Sequence, residues 1–171
     1  MDTARYSATE TLRDGRSIEI RALQPDDRDQ LLGAVGRMSD GSIYRRFFSP
    51  KRGFTDQEIA YYVNVDFVNH VALVAVIQEE GRAVVAGGAR YIVSMPGVAE
   101  VAFAVDDIHQ GQGIGALLMK HLAAIARGSG LKELFAEVLA SNAAMLKVFE
   151  RSGLGVSTKR EQDVVHVTLK T

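Results

Sequence analysis

From Ser17 to Ala22 polar and apolar residues alternate, with Ile18, Ile20 and Ala22 on one side of the chain and Glu19 and Arg21 on the other. That is the period of a half-buried β-strand. Gln24-Pro25-Asp26-Asp27 then opens a helix with proline and acids in its first turn, and the pattern carries it to about Met38. Ser39 to Phe48 and Thr55 to Val63 predict two shorter helices, the second with Thr55 and Glu58 at the spacing of a capping box. His70 to Gln78 and Ala83 to Ser94 are rich in Val, Ala, Ile and Tyr and predict two strands joined at Glu79-Glu80-Gly81. Pro96-Gly97 makes the next turn. Val98 to Val105 then reads as a strand, Gly113 to Arg127 as a helix and Leu131 to Leu139 as a strand. A capped helix across Ser141 to Gly153 and a final hairpin complete the order. The predicted class is mixed α/β, in the α+β sense.

Composition narrows the picture. The 171 residues, 47% of them hydrophobic, suit one domain over 1–171 with a sizeable core. A net charge of −1 argues against nucleic acid as the main partner. Basic residues cluster at Arg45-Arg46 and Lys51-Arg52, where a solvated face is the expectation. The lack of cysteine excludes disulfides, thiolate metal sites and a cysteine nucleophile. Met1 to Arg5 lacks the apolar core of a signal peptide, and no apolar run reaches the length of a membrane span. The expectation is a cytoplasmic protein with no membrane partner, acting as a monomer or homodimer.

Between the strand ending at Val105 and the following helix lies Gln110-Gly111-Gln112-Gly113-Ile114-Gly115. Glycines there let the backbone turn tightly, so that successive N–H groups and the helix N-terminus face an anion. A Walker A loop would need Lys-Ser or Lys-Thr after its last glycine, and Ala116-Leu117 follows instead. A dinucleotide fingerprint would space its glycines as G-x-G-x-x-G, with an acid closing the next strand, and neither condition is met.

The remaining pattern, Q-x-x-G-x-G after a strand, resembles the acetyl-CoA signature of the GNAT N-acetyltransferase superfamily. Two further features lie at the right distances. Ser141-Asn142-Ala143-Ala144-Met145 to Gly153-Leu154 resembles the family's N-x-x-A-x-x-x-Y-x-x-x-G-F segment, with Met145, Phe149 and Leu154 departing from it. Glu100 stands on the strand feeding the loop, where many members place a general base. Within the superfamily, Ser39 to Phe48 and Ala99 to Phe103 are similar to segments of the bacterial Pat-type protein lysine acetyltransferases, and the resemblance covers Ile18 to Leu154.

The resemblance implies a GNAT fold, a mixed, mostly antiparallel central sheet splayed at the cofactor site and flanked by helices. It implies acetyl-CoA as cosubstrate, held by Gln110, Gly111, Gln112, Gly113, Ile114 and Gly115, with Asn142, Met145 and Phe149 along the coenzyme arm. A bulge in the strand would free N–H groups of Phe103, Ala104 and Val105 for the thioester carbonyl. Regular pairing would also turn Glu100, Ala102 and Ala104 to one face, a small channel ending in an acid. The acceptor would be an amine, a protein lysine in Pat-type members. An alkylammonium with a pKa of about 10.4 needs a base, and Glu100 is the candidate. Phe149 stands where related enzymes often have a tyrosine acid, so no general acid is identified.

Other residues are read more plainly. Asp106-Asp107 is a turn and capping pair; with His109 alone at ligand spacing, no metal site is expected. His70, His121 and His166 are structural or surface residues, and Tyr44 is kept as an acceptor-site candidate. A small-molecule amine acetyltransferase and a catalytically silent acetyl-CoA-binding module remain the alternatives.

Overall fold

The structure, a computed structural model, describes residues 2–48 and 53–171. The predicted basic pair Lys51 and Arg52 therefore lies outside the described residues. Strands β1 (Ser7–Thr11), β2 (Ser17–Ala22), β3 (His70–Glu79), β4 (Arg82–Met95), β5 (Val98–Val105), β6 (Glu133–Leu139), β7 (Gly155–Glu161) and β8 (Val164–Lys170) form one sheet. Its order is β1-β2-β3-β4-β5-β6-β8-β7, and every neighbouring pair is antiparallel except β5 and β6. Helices α1 (Arg28–Arg37), α2 (Asp40–Phe47) and α3 (Asp56–Val63) connect β2 to β3, α4 (Ile114–Gly128) connects β5 to β6, and α5 (Ala143–Glu150) follows β6.

The sheet is covered on both faces, which explains the near-continuous apolar run in β3. Val71, Leu73, Ala75 and Ile77 join the larger core, where Leu118, Met119, Leu122 and Ile125 of α4 pack on Ile18, Ile20, Tyr91 and Val101. Ala72, Val74 and Val76 turn to the other face and meet Leu23, Val85 and Leu31 of α1. Thr55 and Glu58 form the predicted reciprocal capping box of α3, and Ser39 caps α2, its Oγ accepting from the Ser42 amide.

Two features depart from the sequence reading. Strand β1, Ser-Ala-Thr-Glu-Thr, was not predicted, because a polar edge strand carries little hydrophobic signal. It forms through its ladder with β2 and through a side-chain chain in which Tyr6 Oη meets His121 Nδ1 and His121 Nε2 lies 2.7 Å from Glu10 Oε1. Tyr44 points outward at 45% exposure.

Arg21 and Asp27 lock the start of α1 to β2. Two guanidinium nitrogens donate to the Asp27 carboxylate at 2.8 Å, and the Gln24 amide donates at 2.7 Å. Burial alone would raise the Asp27 pKa, but the Arg21 guanidinium and the Gln24 amide overcome it and hold the carboxyl below its ordinary value. A depressed folded-state value stabilises above the unfolded pKa of about 3.9 and loses that contribution as pH falls through the folded value. Asp27→Asn is expected to cost about 1–3 kcal/mol by removing the charged acceptor of two Arg21 hydrogen bonds, leaving Arg21 with Glu19 at 3.4 Å and the Ala22 carbonyl at 3.1 Å. Urea unfolding would read it as a lower midpoint, with the gap from the parent narrowing as pH drops below about 4.

Candidate active site

The site begins where two strands part. Parallel pairing of β5 with β6 covers Val98↔Glu133, Ala99↔Leu134 and Glu100↔Phe135 and then stops, although both strands continue. Pairing of β5 with β4 runs without a register shift from Ile92↔Glu100 to Gly87↔Val105. The bulge expected at Phe103 to Val105 is therefore absent, and the departure of β6 frees the same edge without an extra residue. Asp106 N–H donates to Ala86 O toward β4, so alternation turns the amides of Phe103 and Val105 to the opposite edge, into the gap. Consistent with this direction, the Val105 carbonyl accepts from Gln110 Nε2 at 3.1 Å.

The glycine loop lies at one mouth of the gap. Gly113, with φ of +89°, sits in the left-handed region at the N-cap of α4, a conformation few side chains tolerate. Leu117 is the first amide of the helix with a backbone partner, Gly113 O at 3.1 Å; among the described residues the amides of Gly111 to Ala116 have none. They converge with the positive end of a 15-residue helix, which is the chemistry of an anion site.

This loop forms one wall of a cleft of about 590 Å³. Of the residues expected to hold the coenzyme, Phe103, Ala104, Val105, Gln110, Gly111, Gly113, Ile114, Gly115, Asn142 and Met145 line it. Gln112 does not; its Oε1 accepts from Arg16 Nη2 at 2.9 Å, on the far side of the loop. Asn142 is itself the N-cap of α5, with Oδ1 accepting from the Met145 amide. The structure adds Arg13, Arg45, Arg46, Lys147 and Arg151, and among the described residues no Asp or Glu lines this cleft. Sequence reading missed Arg13, Lys147 and Arg151. The only local signal was the i,i+4 spacing of Lys147 and Arg151 on one helix face.

Beyond the point where β5 and β6 part, a second cleft of about 250 Å³ holds Glu100, Phe149, Tyr62, Arg46 and Glu137. Glu100 is exposed, and Met145, Asn142 and Phe103 line both clefts, so the two spaces share a wall. Phe149 is 1% exposed and packs edge-on against Phe103, ring centres 5.7 Å apart, with no donor to offer. Tyr44 lines neither cleft; Tyr62 of α3 provides the tyrosine here. The solvated-face expectation is met by Arg45, which is exposed although it lines both clefts, and is corrected for Arg46, which is half-buried because α2 lies across the end of β5.

Asp106 and Asp107 bind α1 and α2 to the loop. Asp106, buried, accepts from Arg37 at 3.1 and 3.2 Å, and Asp107 accepts from the Ser39 amide. The described residues contain no group of His, Asp and Glu arranged to hold a metal. No helix among them is long and apolar enough to cross a membrane.

Comparison with known proteins agrees with this geometry. The profile of the acetyltransferase (GNAT) family matches residues 42–154. An acetyltransferase of Pseudomonas aeruginosa is 31% identical over 137 residues, covering 80% of this chain and 74% of that protein. The acetyltransferase Pat of Mycolicibacterium smegmatis is 34% identical over 144 residues, covering 83% of this chain and 42% of that protein, so the chain spans less than half of this relative. The crystal structure of the GNAT domain of S. lividans PAT superposes with a TM-score of 0.85 at 34% identity, covering 96% of this chain and 97% of that one.

Proposed function

The chain belongs to the GNAT acetyltransferase family, whose members use acetyl-CoA, and we propose that it transfers the acetyl group to the side-chain amine of a protein lysine, with Glu100 as the base. The observation that carries this reading is the position of Glu100: an exposed carboxylate at the end of the β5–β6 pairing, one shared wall away from a cation-lined cleft.

The residues present fit the coenzyme. Its pyrophosphate requires convergent donors, and the unpartnered amides of Gly111 to Ala116 at the head of α4 offer them, with Arg13, Arg45, Lys147 and Arg151 as counter-charges. Bound acetyl-CoA supplies an activated thioester. The Phe103 and Val105 amides, turned into the gap, donate to the thioester carbonyl oxygen as charge develops on it. Glu100 takes the proton from the acceptor ammonium, directly or through water, so that the neutral amine can attack. With Phe149 apolar, no side chain at that position protonates the departing thiolate; it would leave as the anion beside the cations of the cleft, and the second ammonium proton would pass to water as the amide forms. The lysine assignment rests on the exposure of Glu100 at the acceptor cleft and on the likeness to Pat.

Incubating the protein with radiolabelled acetyl-CoA, a desalted extract and added small amines tests the acceptor class. Label is expected in discrete protein bands. Label confined to the low-mass fraction would assign the site to small amines instead, and no transferred label at all would leave a coenzyme-binding module.

A further inference from the structure

Arg46 lines both clefts and also a third, apolar cavity of about 120 Å³ under α1 and α3. It therefore stands at their junction. Its guanidinium lies 4.8 Å from the Phe47 ring centre and donates no hydrogen bond to any described residue. No carboxylate among the described residues is within ion-pair distance of it. Arg90 of β4 is the second guanidinium of the cluster. It is satisfied on one side, donating to Tyr62 O at 3.0 Å, contacting His70 Nε2 at 2.9 Å and stacking on the Tyr62 ring at 5.0 Å.

Burial and the neighbouring Arg46 charge bring the Arg90 pKa down to about 10, and burial lowers that of Arg46 while the Glu100 carboxylate opposes the shift. Both remain cations at neutral pH. His70, held down to about 4 by burial and by Arg90, is neutral and adds no charge. The acidic side chains of the acceptor cleft are Glu100 and Glu137, on β5 and β6.

This arrangement is unfavourable for a bare ammonium. An amine approaching Glu100 as a cation meets the Arg46 guanidinium, which has no hydrogen-bonding partner among the described residues, with Arg90 behind it in the third cavity, and like charges in a partly dry cleft repel strongly. An acceptor that brings its own carboxylate removes the conflict, because the planar fork of Arg46, with no hydrogen-bonding partner among the described residues, suits a bidentate carboxylate. We infer that Arg46, backed by Arg90, binds a carboxylate carried by the acceptor, so that the amine presented to Glu100 is a lysine with an Asp or Glu beside it. This inference deepens the lysine acetyltransferase reading and rests on it for the identity of the amine, but not for the binding of the carboxylate.

The experiment compares kcat/KM for the peptides Gly-Glu-Lys-Gly and Gly-Gln-Lys-Gly, and for free lysine against lysinamide, using the parent and Arg46→Gln. The parent should favour the glutamate peptide by on the order of tenfold to a hundredfold, and Arg46→Gln should bring the ratio close to one. A ratio near one in the parent, or a variant that slows both peptides equally and keeps the ratio, would overturn the assignment. A preference confined to free lysine over lysinamide would also overturn it, placing the carboxylate on a small acceptor. Binding is followed separately by NMR of the arginine Nε–Hε resonances without coenzyme. Titration of the Arg46 resonance by the glutamate peptide alone sustains the carboxylate site even where no acetyl is transferred, in which case only the transferase reading fails. No response to either peptide removes the site.

Discussion

Replacing Glu100 with glutamine is expected to lower kcat/KM on the amine acceptor by on the order of 10²- to 10⁴-fold, the usual contribution of a positioned general base, while coenzyme affinity stays within about twofold. The substitution preserves volume and one acceptor oxygen, exchanges the other for an amide NH2, and removes the charge and the ability to accept a proton. Glu100 is exposed at the rim of the acceptor cleft and does not line the coenzyme cleft, so neither folding nor coenzyme binding should depend on it. Rapid-quench assays with a saturating acceptor should place the loss in kcat. Turnover equal to the parent's would make Glu100 a solvated strand acid and send the search for the base to Tyr62 or Glu137, which line the same cleft.

Gly113→Asp should abolish useful coenzyme binding, raising Kd by about a hundredfold to a thousandfold. A unit charge about 4 Å from another costs roughly 4 kcal/mol at an effective dielectric of 20. The new carboxylate would stand at the head of α4 among the amides assigned to the pyrophosphate. A Cβ there is 4.0 Å from Arg13 Nε, so the carboxylate would also engage one of the cations of the cleft. Aspartate is a good N-cap and one of the residues that tolerate a positive φ, so the fold should survive with a loss of about 1–2 kcal/mol. Calorimetric titration with coenzyme A, beside a thermal melt, separates the two effects. A folded variant that still binds coenzyme A as the parent does would refute the assignment of the loop.

The sequence by itself determined the elements with strong local signals. Period-two alternation marked β2, capping residues marked α3 and α5, and the richness of 70–78 in Val, Ala and Ile marked β3 as a strand. It also placed the glycine loop between β5 and α4, because a turn into the left-handed region is written in single residues such as Gly113. Those features sufficed to point to the family. Only the tertiary structure decided the rest. Strand β1 exists because β2 offers it a ladder, which its own polar residues do not announce. The β5–β6 gap arises from the divergence of two strands separated by a helix, so no extra residue in β5 signals it. Arg13, Arg45, Lys147 and Arg151 become one electrostatic environment only when three distant segments close around the cleft, on a chain whose net charge is −1. The same holds for Arg46, which sequence periodicity would leave in solvent and which the fold turns into a junction of cavities beside Arg90. Local pattern reports which neighbours three or four residues away share a face; the field at a site is a sum over residues brought together by folding, and that sum exists only in the folded chain.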